Sequence, residues 1–225
     1  MALWTSPPVW LTKLNANGPQ STAASDDFGG PLTYSYDIVD GRVIVHAKGN
    51  IALAEAHAFN AWKDTLPDGV LRRGALLISL NSPGGSIAGA LDFAKWIKDN
   101  KVDTVVANGA TCASACALIW GAGWNKKAGV EAHIGVHGAS NIDRNATDEQ
   151  RGAAEADGTL TMARTLADEG APASIIAATA VTLPNEMHWL TTAEVAAWGA
   201  TILDKNGQPS SPQSDPIPKR GPPTW

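Results

Sequence analysis

Residues 75–86 read Ala-Leu-Leu-Ile-Ser-Leu-Asn-Ser-Pro-Gly-Gly-Ser. The first six form a short apolar run, which is typical of a strand buried on both faces of a sheet. The run ends in a Pro-Gly-Gly loop, after which apolar residues return at helical spacing and predict a helix over 87–100. This strand, loop and helix form one unit, and the segments around it repeat the pattern.

The neighbouring segments extend the alternation of strands and helices. A hairpin is predicted over 33–51 with its turn at Asp40-Gly41, followed by a helix over 52–66. Downstream, the pattern predicts strands at 104–107 and 132–136 and helices at 115–121, 147–169, 172–181 and 192–198, the long one broken or eased at Gly158. Such alternation predicts an α/β fold with a largely parallel sheet and flanking helices.

Length and composition favour one domain with tails. The 225 residues divide into an irregular arm (1–32), a folded domain (33–204) and a Pro/Ser-rich tail (205–225) that we expect to be disordered. The net charge of −5 and the absence of a Lys/Arg cluster argue against a nucleic acid or anionic membrane partner. No apolar run approaches a membrane span, and the N-terminus does not resemble a signal peptide, so a cytoplasmic location is expected.

Four residues with chemical potential follow predicted strand ends: Gly84, Gly85, Ser114 and His137. Ligands of parallel sheets bind beyond the carboxyl ends of the strands, so these residues should converge on one rim. Ser114 would be a nucleophile, and the N–H groups of Gly84, Gly85 and Ala115 would stabilise an oxyanion. The simpler alternatives are a helix N-cap for the serine and an ordinary turn for the glycines.

An activated serine needs a base and usually a third group that orients it. His137 and His133 lie on the same face of their predicted strand, and His137 is preferred because it ends the strand. Candidates for the orienting group are Asn185, Glu186 and Asp143, and the spacing does not choose among them.

Two cysteines, Cys112 and Cys116, flank Ser114. The plainer interpretation is a pair of buried thiols packed around the turn. A disulfide is conceivable only if Cys112 ends a strand, because two helical residues four apart are poorly placed for one. Two cysteines without further ligands cannot hold a metal, so neither a metal nor another cofactor is expected.

The motifs resemble the Clp protease proteolytic subunit (ClpP) and its SppA-like relatives, which share the ClpP/crotonase fold. The resemblance covers about residues 36–204 and rests on residues 80–86, 110–123, 131–137 and 189–199. It implies a serine endopeptidase with Ser114 as nucleophile, His137 as base and the glycine loop with Ala115 as oxyanion hole. A homo-oligomer acting on peptides or unfolded protein is also implied.

The chain departs from this family in three places. The Cys-Ala-Ser-Ala-Cys frame at 112–116 differs from the housekeeping Clp subunit and resembles a divergent branch of the family. Where the family has an aspartate, residues 185–188 read Asn-Glu-Met-His, so the third group is substituted, supplied from elsewhere or missing. The N-terminal arm is atypical, so docking to an unfoldase ATPase is not expected. SppA-like enzymes use a lysine base, but Lys95, Lys126 and Lys127 lie in no convincing motif.

Two other functions compete with the peptidase. One is a ClpP-like assembly module that has lost catalysis along with its aspartate. The other is a crotonase-type acyl-CoA enzyme, which would share the glycine-loop oxyanion hole but would not need Ser114 or His137.

Overall fold

The computed structural model describes residues 28, 30–39, 41–67, 70, 76–141, 143 and 145–210. Within them the strands are β1 (Thr33–Val39), β2 (Arg42–Lys48), β3 (Leu76–Asn81), β4 (Asp103–Val106), β5 (Thr111–Ala113), β6 (Lys126–Gly129), β7 (His133–Val136), β8 (His188–Trp189) and β9 (Thr201–Leu203). The helices are α1 (Glu55–Lys63), α2 (Ile87–Asn100), α3 (Ala115–Gly121), α4 (Asp148–Asp168), α5 (Ala173–Val181) and α6 (Thr192–Ala197).

The larger sheet has the strand order β1-β2-β3-β4-β6-β9. Its first pair is the predicted antiparallel hairpin, in which Thr33 pairs with Lys48 and Gly41 takes the positive φ that the turn requires. All other pairs in this sheet are parallel. The predicted α/β fold with a largely parallel sheet and flanking helices is therefore confirmed.

A smaller sheet, β5-β7-β8, continues from the end of β3. Strands β5 and β7 are parallel, and β8 runs antiparallel to β7. Ser82 joins this sheet to the larger one, because its N–H donates to Thr111 O at 2.7 Å and its carbonyl accepts from Ala113 N at 3.0 Å. The carboxyl ends of β3, β5 and β7 consequently lie side by side.

Helix α2 covers the larger sheet with an apolar face. Its N-cap is Ser86, whose side chain accepts from Gly89 N, and Lys101 ends it in the left-handed conformation. The residues buried at intervals of three and four include Ala90, Phe93, Ala94 and Ile97. The loop after β3 is thereby anchored at both ends, by the strand and by the helix cap.

Helix α3 is buried along its whole length, which its all-apolar sequence permits. Trp120 ties the helix to the larger sheet, since its indole N–H donates to Lys127 O and its carbonyl accepts from Thr104 Oγ1. The residue that precedes α3 is Ser114, so the nucleophile candidate is attached to the core of the protein.

Helix α4 differs from the prediction at Gly158. The helix opens with a capping box formed by Thr147 and Gln150 and runs without a break to Asp168. A Cβ at Gly158 would lie 2.8 Å from Ala139 Cβ, so the glycine permits close packing and does not interrupt the helix.

The ends of the chain fall mostly outside the described residues. The predicted arm is described only at Phe28 and from Gly30 onward, and residues 211–225 of the predicted tail are not described. At the start of that tail, residues 204–210 turn back onto β9, and Ser210 N donates to Ile202 O. No helix in the described part of the chain has the length and apolar character needed to cross a bilayer.

Candidate active site

Strand pairing brings the predicted serine and histidine together at one edge. Ala113 on β5 pairs with Gly135 on β7, and Ser114 N donates to Gly135 O at 2.9 Å. Ser114 is the residue that follows β5, and His137 is the residue that follows β7. Adjacent strands lie about 4.8 Å apart, so Ser114 and His137 lie at the ends of two neighbouring strands.

Ser114 differs from its neighbours in both conformation and exposure. Its φ of 56° and ψ of −128° are rare for a residue with a side chain and cost roughly 1–3 kcal/mol. From Thr111 to Gly123 every residue is buried except Ser114, which is partly exposed. Its side chain caps no N–H of α3, so the N-cap interpretation does not account for the hydroxyl.

Gly84 packs directly against the serine. A Cβ at this glycine would lie 2.8 Å from Ser114 Cβ and 3.2 Å from Ala115 N, and the φ of 110° is also one that side chains rarely adopt. The Pro-Gly-Gly loop therefore requires glycine here for two reasons, the approach to the serine and the backbone conformation.

The N–H groups predicted to form the oxyanion hole are not equivalent. Gly84 N donates to Ser82 Oγ at 3.1 Å, so this N–H already has an acceptor. Gly85 is exposed, and no acceptor for its N–H occurs among the described residues. Ala115 opens α3, where the first N–H groups of a helix lack an intrahelical acceptor. Gly85 and Ala115 are thus the two positions whose N–H groups can serve a ligand.

His137 is a buried imidazole with an unmatched nitrogen. Only 9% of the residue is exposed, and its Nδ1 has no hydrogen-bond partner in the part of the chain that the structure describes. Burial lowers the pKa of His137 from its usual 6.5, and a weaker interaction with the Gly138 backbone partly opposes this. The imidazole is therefore neutral at pH 7, as a general base must be.

The competing histidine lies further from the serine along the sheet. His133 pairs with Thr111, three positions before Ser114, and its ring centroid is 6.1 Å from that of Trp189. The lysines are no nearer to the site. Lys126 and Lys127 begin β6, at the opposite edge of the sheet from the carboxyl ends, and Lys95 is ion-paired with Asp99 on α2.

The structure does not bring a predicted orienting group to His137. Asn185 and Glu186 are exposed, and Asp143 hydrogen-bonds within its own loop through Asn141 and Asn145. None of them is a partner of His137 Nδ1, which has none among the described residues.

Met187, which the sequence did not single out, lies opposite His137 on the neighbouring strand. Gly135 pairs with Trp189 and Val136 with His188, so one further step of this antiparallel register sets Met187 opposite His137. A Cβ at Gly135 would lie 2.7 Å from Met187 Sδ, which shows that the thioether covers the strand beside the histidine. In the sequence, Met187 is found only by counting back three residues from Leu190. That count places it opposite His137 only when the pairing of β8 with β7 is known.

The two cysteines form a disulfide, contrary to the interpretation as free thiols. Cys112 lies on β5 and Cys116 in the first turn of α3, with their Cα atoms 5.1 Å apart. Cys112 does not end its strand but lies one residue before the end of β5, and a bridge is feasible because the two cysteines belong to a strand and a helix and not to one helix. No group of three or more potential metal ligands occurs among the described residues.

Comparison with known proteins identifies the fold of the chain. No family model and no curated protein matches the chain. Among solved structures, a mutant of ClpP1 from Listeria monocytogenes superposes with a TM-score of 0.55 at 19% identity, over 75% of this chain and 96% of that one. The chain has the ClpP fold. A mutant of the 1510-N membrane-bound stomatin-specific protease also matches, with a TM-score of 0.49 at 16% identity, over 71% of this chain and 76% of that one.

Proposed function

We propose that this chain is a serine endopeptidase in which Ser114 is the nucleophile and His137 the general base. One observation carries the proposal: within the otherwise buried stretch 111–123, the single accessible residue is a serine at positive φ that packs against Gly84 and follows the strand paired with the one that precedes His137. A structural serine would not require that conformation, and the partial exposure of Ser114 supports a hydroxyl that a substrate can reach.

The proposed reaction follows from the geometry. His137 removes the proton of the Ser114 hydroxyl as its oxygen attacks the carbonyl carbon of a peptide bond. The developing oxyanion accepts hydrogen bonds from the N–H groups of Gly85 and Ala115, while Gly84 holds the loop close to the serine. His137 then returns the proton to the leaving amine, and water hydrolyses the acyl-enzyme with the same base.

We further propose that His137 works as half of a dyad. Asn185 and Glu186, the predicted orienting residues, are exposed and absent from the hydrogen bonds of the imidazole, so the proposal assigns them no catalytic role. Met187 occupies the facing position and offers only a weak acceptor. A dyad of this kind should be slower than a triad, because no carboxylate stabilises the imidazolium that forms.

The substrate class and the assembly are also proposals. The similarity to a structure described as ClpP1 supports peptides or unfolded segments as substrates, in line with the resemblance seen in the sequence. The ClpP-like fold supports a homo-oligomer, as expected from the sequence. The cytoplasmic location expected from the sequence is opposed by the disulfide, because cytosolic thiols are normally kept reduced.

The main alternative is a ClpP-like assembly module that has lost catalysis. The observation that favours it is His137 Nδ1, for which the described residues offer no partner. A crotonase-type enzyme has less support, because its chemistry would leave the conformation of Ser114 without a purpose.

Digestion experiments distinguish these functions. Denatured casein is incubated with the full chain and with Ser114→Ala, and the products are identified by mass spectrometry. A parallel assay follows hydrolysis of an acyl-CoA thioester. We expect casein fragments from the wild type only. Thioester turnover that survives Ser114→Ala would favour the crotonase, and an inert but folded wild type would favour the assembly module.

A further inference from the structure

The disulfide encloses the proposed nucleophile. Cys112 and Cys116 close a ring of five residues that has Ser114 at its centre. Both cysteines are completely buried. No other cysteine occurs in the sequence, so this bridge has no competing pairing within the chain.

The bridge joins the two elements whose junction sets the serine conformation. Cys112 is fixed in the sheet, where it pairs with Ile134 and forms a β-bridge with Ser82. Cys116 is fixed in the first turn of α3. A bond between them holds the end of β5 and the start of α3 at one separation, and the residue between them has the positive φ.

A purely stabilising role fits this bridge poorly. In the chain-entropy account a disulfide stabilises a fold more when it closes a longer loop, and this bridge joins residues only four positions apart in the sequence. The sheet and α3 are also already buried and hydrogen-bonded without it. Its distinctive feature is therefore its location around the serine.

We propose that this disulfide is a redox gate on the proposed peptidase: the chain with two thiols holds Ser114 imperfectly, and oxidation completes the site. The inference rests on the proposed function. A low-molecular-weight disulfide such as oxidised glutathione supplies the oxidant. One cysteine thiolate displaces a glutathione thiolate to give a mixed disulfide, and the other cysteine thiolate then attacks the protein sulfur of that bond. The two cysteines lose two electrons and two protons, and one oxidised glutathione becomes two reduced glutathiones.

Burial determines how such a gate operates. A reductant reaches the sulfur atoms only when the turn opens locally, so the oxidised enzyme should persist once it has formed. The gate would thus respond to the compartment and not to brief fluctuations of the thiol pool. A chain synthesised in a reducing compartment would remain weakly active until it met an oxidising one.

The test compares the full chain in two redox states. Oxidised protein is prepared with oxidised glutathione and reduced protein with a phosphine reductant, and intact mass verifies each state. The rate of fluorophosphonate labelling at Ser114 and the kcat and KM for a peptide are then measured, with circular dichroism to monitor folding. The double variant Cys112→Ala/Cys116→Ala provides the reduced-like state without a reductant.

We expect reduction to slow labelling by at least about tenfold and to lower kcat with little change in KM, because misplacement of a nucleophile affects the chemical step. Circular dichroism should stay unchanged, and oxidised glutathione should restore the rate of the reduced wild type but not that of the double variant.

Two results would overturn the gate while leaving the peptidase intact. One is equal labelling of oxidised and folded, reduced protein. The other is a loss of labelling only when the reduced chain unfolds, which would mean that the disulfide stabilises the fold and does not gate the site. Absence of labelling in the oxidised wild type would instead overturn the proposed function and, with it, the gate.

Discussion

At the scale of single residues, Ser114 depends on the absence of a side chain at Gly84. The glycine lies so close that a Cβ would approach both the serine Cβ and the N–H of Ala115. Contacts this short involve backbone atoms, which cannot move aside as the end of a flexible side chain would. The proposed oxyanion hole and the proposed nucleophile are thus constrained by the same glycine.

Gly84→Ala should reduce peptide hydrolysis at least roughly a hundredfold, because the methyl group would displace both Ser114 and the N–H of Ala115. The matched control is Gly152→Ala on α4, where a Cβ would meet nothing within 4 Å. The control should retain full activity and gain up to about 1 kcal/mol of stability. Equal activity of the two folded variants would contradict the assigned role of the glycine loop.

The histidine provides a second prediction at this scale. Since burial lowers the pKa of His137, the activity should decline with acidification only below pH 6.5. Met187→Asp would place a carboxylate opposite the imidazole, which should raise the pKa of His137 and move the acid limb to higher pH. Its plateau rate should rise roughly tenfold or more as the dyad becomes a triad.

Met187→Leu is the control for that exchange, since it keeps an apolar side chain at the position. Fluorophosphonate labelling from pH 5 to 9 provides the comparison for both variants. Identical profiles for the aspartate and leucine variants, both folded, would show that this position does not act on His137.

At the scale of elements, α3, the helix that follows Ser114, ends beside a buried carboxyl group. Glu169, which follows α4, contacts Gly121 at the end of α3, and its side chain is fully buried. Lys98 Nζ lies 3.2 Å from one carboxyl oxygen, yet burial dominates and raises the pKa of Glu169 from 4.5 to about 7. The protonated form is therefore favoured by folding.

This shift determines the sign of a pH effect on stability. The folded state binds more protons than the unfolded state between pH 4.5 and 7, so the contribution of Glu169 is lost as the pH rises through that window. The loss is on the order of 3 kcal/mol. Glu169→Gln should abolish this pH-dependent loss of stability. The free energy of unfolding of the variant, relative to that of the wild type, should therefore be higher at pH 8 than at pH 5. Urea unfolding at both pH values measures the difference, with Glu149→Gln on the exposed start of α4 as control.

A constant difference between Glu169→Gln and the wild type across this range would contradict the assignment. It would mean that the ion pair with Lys98 keeps the carboxylate charged in the folded protein.

The elements themselves show what the sequence could predict. Helices over 87–100 and 115–121 were predicted with their observed bounds, since apolar periodicity and flanking caps define them locally. Strands β5, β6, β8 and β9 have two to four residues and were missed because segments this short carry little pattern, whereas β4 and β7, with four residues each, were predicted within apolar runs at 104–107 and 132–136. Their existence depends on partners distant in the sequence.

The candidate site also contains residues that could be predicted from the sequence and residues that only the strand pairing places. Gly84, Gly85 and His137 were recognised because each follows a predicted strand, and Ser114 because it directly precedes the predicted helix over 115–121. Met187 was missed, since only the pairing of β8 with β7 sets it opposite His137. The disulfide was left open for a similar reason: it depends on Cys112 lying in a short strand, β5, where its pairing partners are Ser82 and Ile134.

At the scale of the whole molecule, the proposed site depends on the assembled sheet. Its nucleophile, base and oxyanion donors come from loops after three different strands, which only the joined sheets bring together. The match to ClpP1 covers 96% of that chain, so nearly the whole ClpP fold has a counterpart here. We propose that this framework activates Ser114.

The most direct measurement is intact-mass spectrometry after incubation with a fluorophosphonate, on the oxidised wild type and on Ser114→Ala, His137→Ala and His133→Ala. We predict one adduct on Ser114, none in Ser114→Ala, labelling slower by roughly a hundredfold or more in His137→Ala, and a rate near that of the wild type in His133→Ala. No adduct on the folded wild type, or equal losses from the two histidine variants, would contradict the account.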